Sequence, residues 1–131
     1  MTRAEQIFSI LENEYPDAHC ELDFGTTFQL LVAVILSAQC TDKRVNVVTK
    51  DLFKRASTPE AFAVMPAEEL EKLIYSCGFY HNKAKNIIAA SREIMEKYGG
   101  KVPDTFDGLL SLPGVGRKTA NVVFSLSLIH I

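Results

Sequence analysis

A chain of 131 residues with 47% hydrophobic and 23% charged residues is long enough for one buried core, which excludes a disordered or fibrous chain. A net charge of −2, with six Lys/Arg against nine Asp/Glu in residues 1–66 and eight against seven in 67–131, excludes a uniformly basic nucleic-acid binder. Cys20, Cys40 and Cys77 are odd in number, far apart and without a C-x-x-C pair, which fits reduced thiols and neither a disulfide frame nor a metal site.

Thr2-Arg3-Ala4-Glu5 forms a capping box, and Ile7, Phe8 and Leu11 then share one face of a helix over about 3–14, which Tyr15-Pro16 ends. No signal-peptide apolar region precedes it, and the longest apolar run, Leu30 to Leu36, is too short to span a bilayer, so no membrane is expected and the location is cytoplasmic. Thr26-Thr27-Phe28-Gln29 is a second box opening a helix to about Ala38. Phe28 and residues 30–36 leave that helix no polar face, so it belongs at the centre of the fold. Its β-branched content also suits a buried strand; the length and the cap decide for helix.

Ser37-Ala38-Gln39-Cys40-Thr41-Asp42 breaks the pattern, and Thr41 caps a helix carrying Val45, Val48 and Leu52. Thr58-Pro59-Glu60 sets a cap and a first-turn proline in order for a short helix through Phe62. Pro66-Ala67-Glu68-Glu69 starts another, with Leu70, Leu73 and Ile74 facing in. Cys77 to Asn82 reads as a loop, and a helix from Asn82 to Tyr98 follows, stopped by Gly99-Gly100. Within 81–101, Lys83, Lys85, Arg92, Lys97 and Lys101 face only Glu93 and Glu96, so this tract is either a local basic face or a solvated helix surface. Thr105 caps a last short helix with Phe106, Leu109 and Leu110 inside. With no strand and no repeat, the fold class is all-α, a multi-helix bundle of six or seven helices.

Leu112-Pro113-Gly114-Val115-Gly116-Arg117-Lys118-Thr119-Ala120 then joins two helices. Pro113 cannot extend the first, and Gly114 and Gly116 can take positive φ, so the chain can reverse within a few residues. The second helix would open on bare N–H groups at its positive end, an anion site able to hold a phosphate without reading a base. The same tetrapeptide also suits an ordinary helix-to-helix turn. His19, His81 and His130 lack paired ligands and read as structural or surface groups.

Extended through Asn121-Val122-Val123, this stretch resembles the helix-hairpin-helix of the base-excision DNA glycosylase superfamily, and the resemblance runs from about residue 2 to Val123. It implies a six-helix barrel domain over 20–131 with the hairpin at about 105–124, and a segment 1–19 that would pack on an iron–sulfur domain. The family's catalytic lysine, two residues past the second glycine, maps to Lys118, which implies a bifunctional N-glycosylase and abasic-site lyase acting on oxidised pyrimidines. An amine attacks only when neutral, a state that desolvation or neighbouring cations favour; Arg117 and the helix N-terminus act in that direction.

The resemblance further implies that Gln39 enters the duplex and that Phe79 stands where relatives carry an aliphatic wedge, although a phenylalanine there suits the core equally well. Leu112, Gly114, Val115, Gly116, Arg117 and Thr119 would line the DNA backbone. The implied partner is double-stranded DNA with a damaged or abasic nucleotide, bound by a nucleoid-associated monomer.

Phe124 to Ile131 departs from the family, which continues to a catalytic aspartate in a Val-Asp-Thr-His context and four cysteines for a 4Fe-4S cluster. The chain is therefore expected to be a truncated or frame-shifted frame without cofactor or metal, the cluster's cysteines lying beyond residue 131, and inactive or nearly so. The alternative is a non-catalytic helix-hairpin-helix module that binds DNA backbone.

Overall fold

The computed structural model describes residue 22, residues 24–38 and residues 40–129. The helix expected over 3–14 with its stripe Ile7, Phe8 and Leu11 lies outside these residues, as do Cys20, His19, His130 and Gln39. Seven helices and no strand occur among the described residues: α1 (Thr27–Ser37), α2 (Asp42–Arg55), α3 (Pro59–Ala63), α4 (Ala67–Leu73), α5 (Tyr80–Lys97), α6 (Phe106–Leu110) and α7 (Arg117–Ile129).

Four of them start on a threonine whose Oγ1 accepts an amide of the first turn. Thr26 accepts from Gln29, Thr41 from Arg44, Thr58 from Ala61 and Thr105 from Gly108, all at 3.0–3.2 Å. Each bond satisfies one of the amides a helix start leaves without an intrahelical partner, worth about 1 kcal/mol. The box at α1 differs from the expected one in a detail. Gln29 reaches past Thr26 and its Oε1 accepts from Gly25 N at 2.5 Å.

Every residue from Leu30 to Leu36 is buried, and α2, α5 and α7 all pack on α1. A helix without a polar face leaves no side for water, and burying each large aliphatic side chain contributes about 1.5–3 kcal/mol. Helix α5 carries α3 and α4 on its outer side, and α6 packs on α7. Phe28 of α1 meets Phe62 of α3 with ring centroids 5.5 Å apart, and Phe106 meets Phe124 edge-on at 6.5 Å, tying α6 to α7.

Two boundaries move. Helix α5 begins at Tyr80, two residues before the expected Asn82, because Phe79 takes φ 57°, ψ 39° and turns the chain into the helix. Helix α7 runs on to Ile129, with Phe124 against Phe106 and Leu126 buried, so the residues just past Val123 continue the packed helix. Among the described residues no helix is long and apolar enough to cross a membrane.

Truncating the central helix should be costly: Leu36→Ala is expected to lower unfolding free energy by about 2–5 kcal/mol in a denaturant titration. Val64→Ser, at a side chain 81% exposed, should change it by less than about 0.5 kcal/mol.

Candidate nucleic-acid interface

The turn from α6 to α7 is built to expose main chain while its side chains anchor it. Leu112 and Val115 are buried, and Val115 N donates to Leu112 O at 3.2 Å. Both were expected at the interface; with their side chains inside, only their peptide groups can reach a partner. Gly114, Gly116, Arg117 and Lys118 are exposed, Pro113 and Thr119 half-buried. Ser111 Oγ, which donates to Gly108 O at 2.6 Å and lies 3.1 Å from Tyr98 OH, fixes the end of α6.

The two glycines serve different ends. Gly114 has φ +78°, and a Cβ there would lie 2.6 Å from Cβ of Asn86 on α5, so both backbone conformation and space require glycine. Gly116 does not take the positive φ expected of it, and a Cβ on it would meet nothing within 4 Å. Among the described residues nothing fills that space.

Ala120 N donates to Gly116 O at 2.9 Å, the first bond of α7, so the amides of Arg117, Lys118 and Thr119 precede the ladder. This positive helix end carries two further cations, Arg117 and Lys118, and no acidic residue in its first turn. For the helix alone that arrangement is unfavourable by about 0.3–1 kcal/mol per charge, and a docked anion reverses the sign. The Arg117 guanidinium lies 5.9 Å from the ring centre of Phe106, steadied over an aromatic face.

The N-terminal turns of α5 draw the other expected segments to the same place. Asn86 touches Gly114. One turn earlier Lys83 is buried at 6% exposure, and its Nζ donates to Leu36 O at 3.0 Å and to Ala38 O, at the end of α1. Residues three apart on a helix are neighbours, so the hairpin, the start of α5 and the Ala38–Cys40 segment are contiguous. Gln39 itself lies outside the described residues.

Phe79, which the sequence leaves open between wedge and core, is 62% exposed and is the only non-glycine residue with positive φ among those described. Such a conformation costs on the order of 1–2 kcal/mol and clusters at functional sites. Tyr75, 69% exposed, lies 5.0 Å from Tyr80, which lies 4.2 Å from His81, making an aromatic surface beside Phe79. His81 Nδ1 pairs with a Glu71 carboxylate oxygen. Tyr75 and Asn86 were missed in the sequence; the aromatic density of residues 75–81 was the signal for the first, and the second, a non-local contact, had none.

Lys83 corrects the expected basic tract. It faces inward, which leaves Lys85, Arg92, Lys97 and Lys101 on the outside, Arg92 Nε donating to Ala63 O at 3.1 Å. Burial lowers the Lys83 amine from its usual range, the Cys77 and Cys40 thiols opposing. Burial, with the hydrogen bond to Cys40, pushes the Cys77 thiol up to about 12, so that thiol stays neutral. Among the described residues no three His, Cys, Asp or Glu side chains converge as metal ligands, so nothing there fits an iron–sulfur cluster.

Residues 32–126 match the HhH-GPD superfamily of base excision DNA repair proteins. The chain is 55% identical to endonuclease III of Synechocystis sp. over 123 residues, covering 94% of the chain and 56% of the relative. It is 56% identical to endonuclease III of Bacillus subtilis over 113 residues, covering 86% and 52%. It also resembles a solved trapped endonuclease III–DNA covalent intermediate at 50% identity and a TM-score of 0.82, covering 98% of the chain and 62% of that structure's. The chain spans about half the length of the relatives it matches.

The glycine roles separate by substitution. Gly114→Ala should cost at least about 1–2 kcal/mol in a denaturant titration, and Gly116→Ala less than about 0.5 kcal/mol. For the thiols, iodoacetamide at pH 8 should alkylate half-exposed Cys40 well before buried Cys77 in the folded protein, and both after unfolding, as read by peptide mass spectrometry.

Proposed function

Since the chain belongs to the HhH-GPD superfamily of base excision DNA repair proteins, we propose that it forms the hairpin-bearing part of an N-glycosylase and abasic-site lyase for oxidised pyrimidines in duplex DNA. The observation that carries this reading is the start of α7. A positive helix end with Arg117, Lys118 and no acid in its first turn follows a glycine whose side has open space. Glycine at Gly116 then serves the close approach of a phosphate, whose oxygens accept from main-chain amides. Binding through peptide groups is independent of base sequence, as a search for scattered lesions requires.

The damaged nucleotide is turned out of the stack. Exposed Phe79 and Gln39 take the space it leaves, an apolar ring offsetting lost stacking as wedge residues do. Lys118 Nζ, neutral at that moment, bonds to C1′ as the bond from C1′ to the base breaks, and the base leaves with the electron pair and takes a proton. The sugar ring opens to a Schiff base, a C2′ proton is lost, and the bond from C3′ to its phosphate oxygen breaks. Lys118 is exposed in the free protein and open to a docked sugar. The trapped covalent intermediate of a relative with DNA supports covalent chemistry, and its assignment to Lys118 rests on the resemblance of the hairpin.

The family's aspartate context, Val-Asp-Thr-His, does not occur in the 131 residues. Without a carboxylate to stabilise charge developing on the sugar, base release by this chain alone falls by orders of magnitude. Schiff-base formation with a preformed abasic aldehyde needs no base release and survives.

Borohydride added to the chain with an abasic duplex is therefore expected to give a covalent protein–DNA band that Lys118→Ala removes; undiminished trapping would take Lys118 out of the role. DNA binding with no trapping in either protein would favour the non-catalytic backbone-binding module. Gln39→Ala should weaken binding to an abasic duplex more than to an intact one in fluorescence anisotropy, equal weakening marking a loop residue only. Gly116→Ala should weaken both by about tenfold while unfolding free energy holds.

A further inference from the structure

Lys83 is a buried cation, yet the partners of its ammonium are main-chain oxygens. Nζ donates to Leu36 O at 3.0 Å and to Ala38 O, and the neighbouring Cys77 thiol is neutral and supplies no counter-charge. These carbonyls end α1, whose last turn has no basic residue of its own. A cation there satisfies acceptors a helix end leaves over and meets the negative end of its dipole, here from another helix 47 positions away.

The same residue is bound at its other end. Lys83 N donates to Phe79 O at 3.0 Å, closing the first turn of α5 on the strained phenylalanine. One residue thus holds Ala38, next to Gln39 in sequence, through its side chain and Phe79 through its amide. We propose that Lys83 is a positioning residue that fixes the spacing between the end of α1 at Ala38 and the Phe79 loop, and so how the two loops meet a duplex from which a nucleotide is extruded. This rests on the wedge roles given above to Gln39 and Phe79. A cap needed for stability alone would be served by a surface residue at the end of α1; a buried lysine bears the cost of desolvation and gains a fixed distance between two loops.

The test uses the 131-residue chain, with Lys83→Met to keep length without charge and Lys83→Arg to keep charge. Native-state amide hydrogen exchange reads the strut without DNA. In Lys83→Met the Cys40 amide, which donates to Ser37 O, and the amide of residue 83, which donates to Phe79 O, should exchange on the order of tenfold faster, while those of 87–94 and the melting temperature hold. Lys83→Arg should recover part of the protection. In parallel, the ratio of affinities for a duplex with a stable abasic analogue over an undamaged duplex should fall about tenfold in Lys83→Met, with undamaged-duplex affinity within about twofold of the parent. Unchanged exchange at the amides of residues 40 and 83, or faster exchange throughout with a lower melting temperature, would overturn the proposal. If the parent chain does not discriminate the abasic duplex, the repair reading falls, and the exchange result alone decides whether Lys83 holds the loops.

Discussion

Helix α1 has no side that tolerates water, and the described fold is the consequence of covering it. Three helices cover its apolar surface, α3 adds Phe62 against Phe28, and α5 carries α3 and α4. Covering a helix on every side has a second effect at its end. The Leu36 carbonyl emerges inside the packed structure, where an acceptor without a donor is expensive, so something buried must donate to it. Lys83 does so. The apolar requirement that places α1 thereby also dictates a polar junction between its exit and the entry of α5.

Around that junction two kinds of surface lie side by side. The hairpin offers amides and cations behind anchored Leu112 and Val115, chemistry suited to phosphate oxygens and indifferent to base identity. The loop before α5 offers the rings of Phe79, Tyr75 and Tyr80, suited to the faces of unpaired bases. The close fit of Gly114 on Asn86 fixes the first surface to the same helix that carries the second. The two surfaces therefore sit on one helix without a hinge between them.

Local chemistry was legible in the sequence where the deciding contacts are a few residues apart. The threonine starts at Thr26, Thr41, Thr58 and Thr105, the double-glycine stop and the central position of an all-apolar helix follow from capping bonds, positive φ and periodicity, and each stands in the structure. What escaped reading depends on distant partners. A lysine in a basic tract suggests surface, and only the carbonyls of α1 turn Lys83 inward. Nothing about phenylalanine announces a left-handed residue at position 79, and Gly114 and Gly116, alike in sequence, differ because Asn86 backs only one of them. The role assigned to Lys118 comes from family resemblance, since the residue type alone suits a phosphate contact as well.

The left-handed backbone at Phe79 sets how the loop can behave. A ring on a peptide that already sits in a narrow well, with the helix closing on its carbonyl, has little freedom to search. In the proposed reading, rearrangement on contact would then fall to the nucleic acid, whose stacking energy at each step decides how readily a base gives way. A stiff probe of this kind would sense mechanical weakness in a duplex, entering at a loosened pair and stalling at a sound one, so discrimination would begin with deformability before any pocket inspects the base.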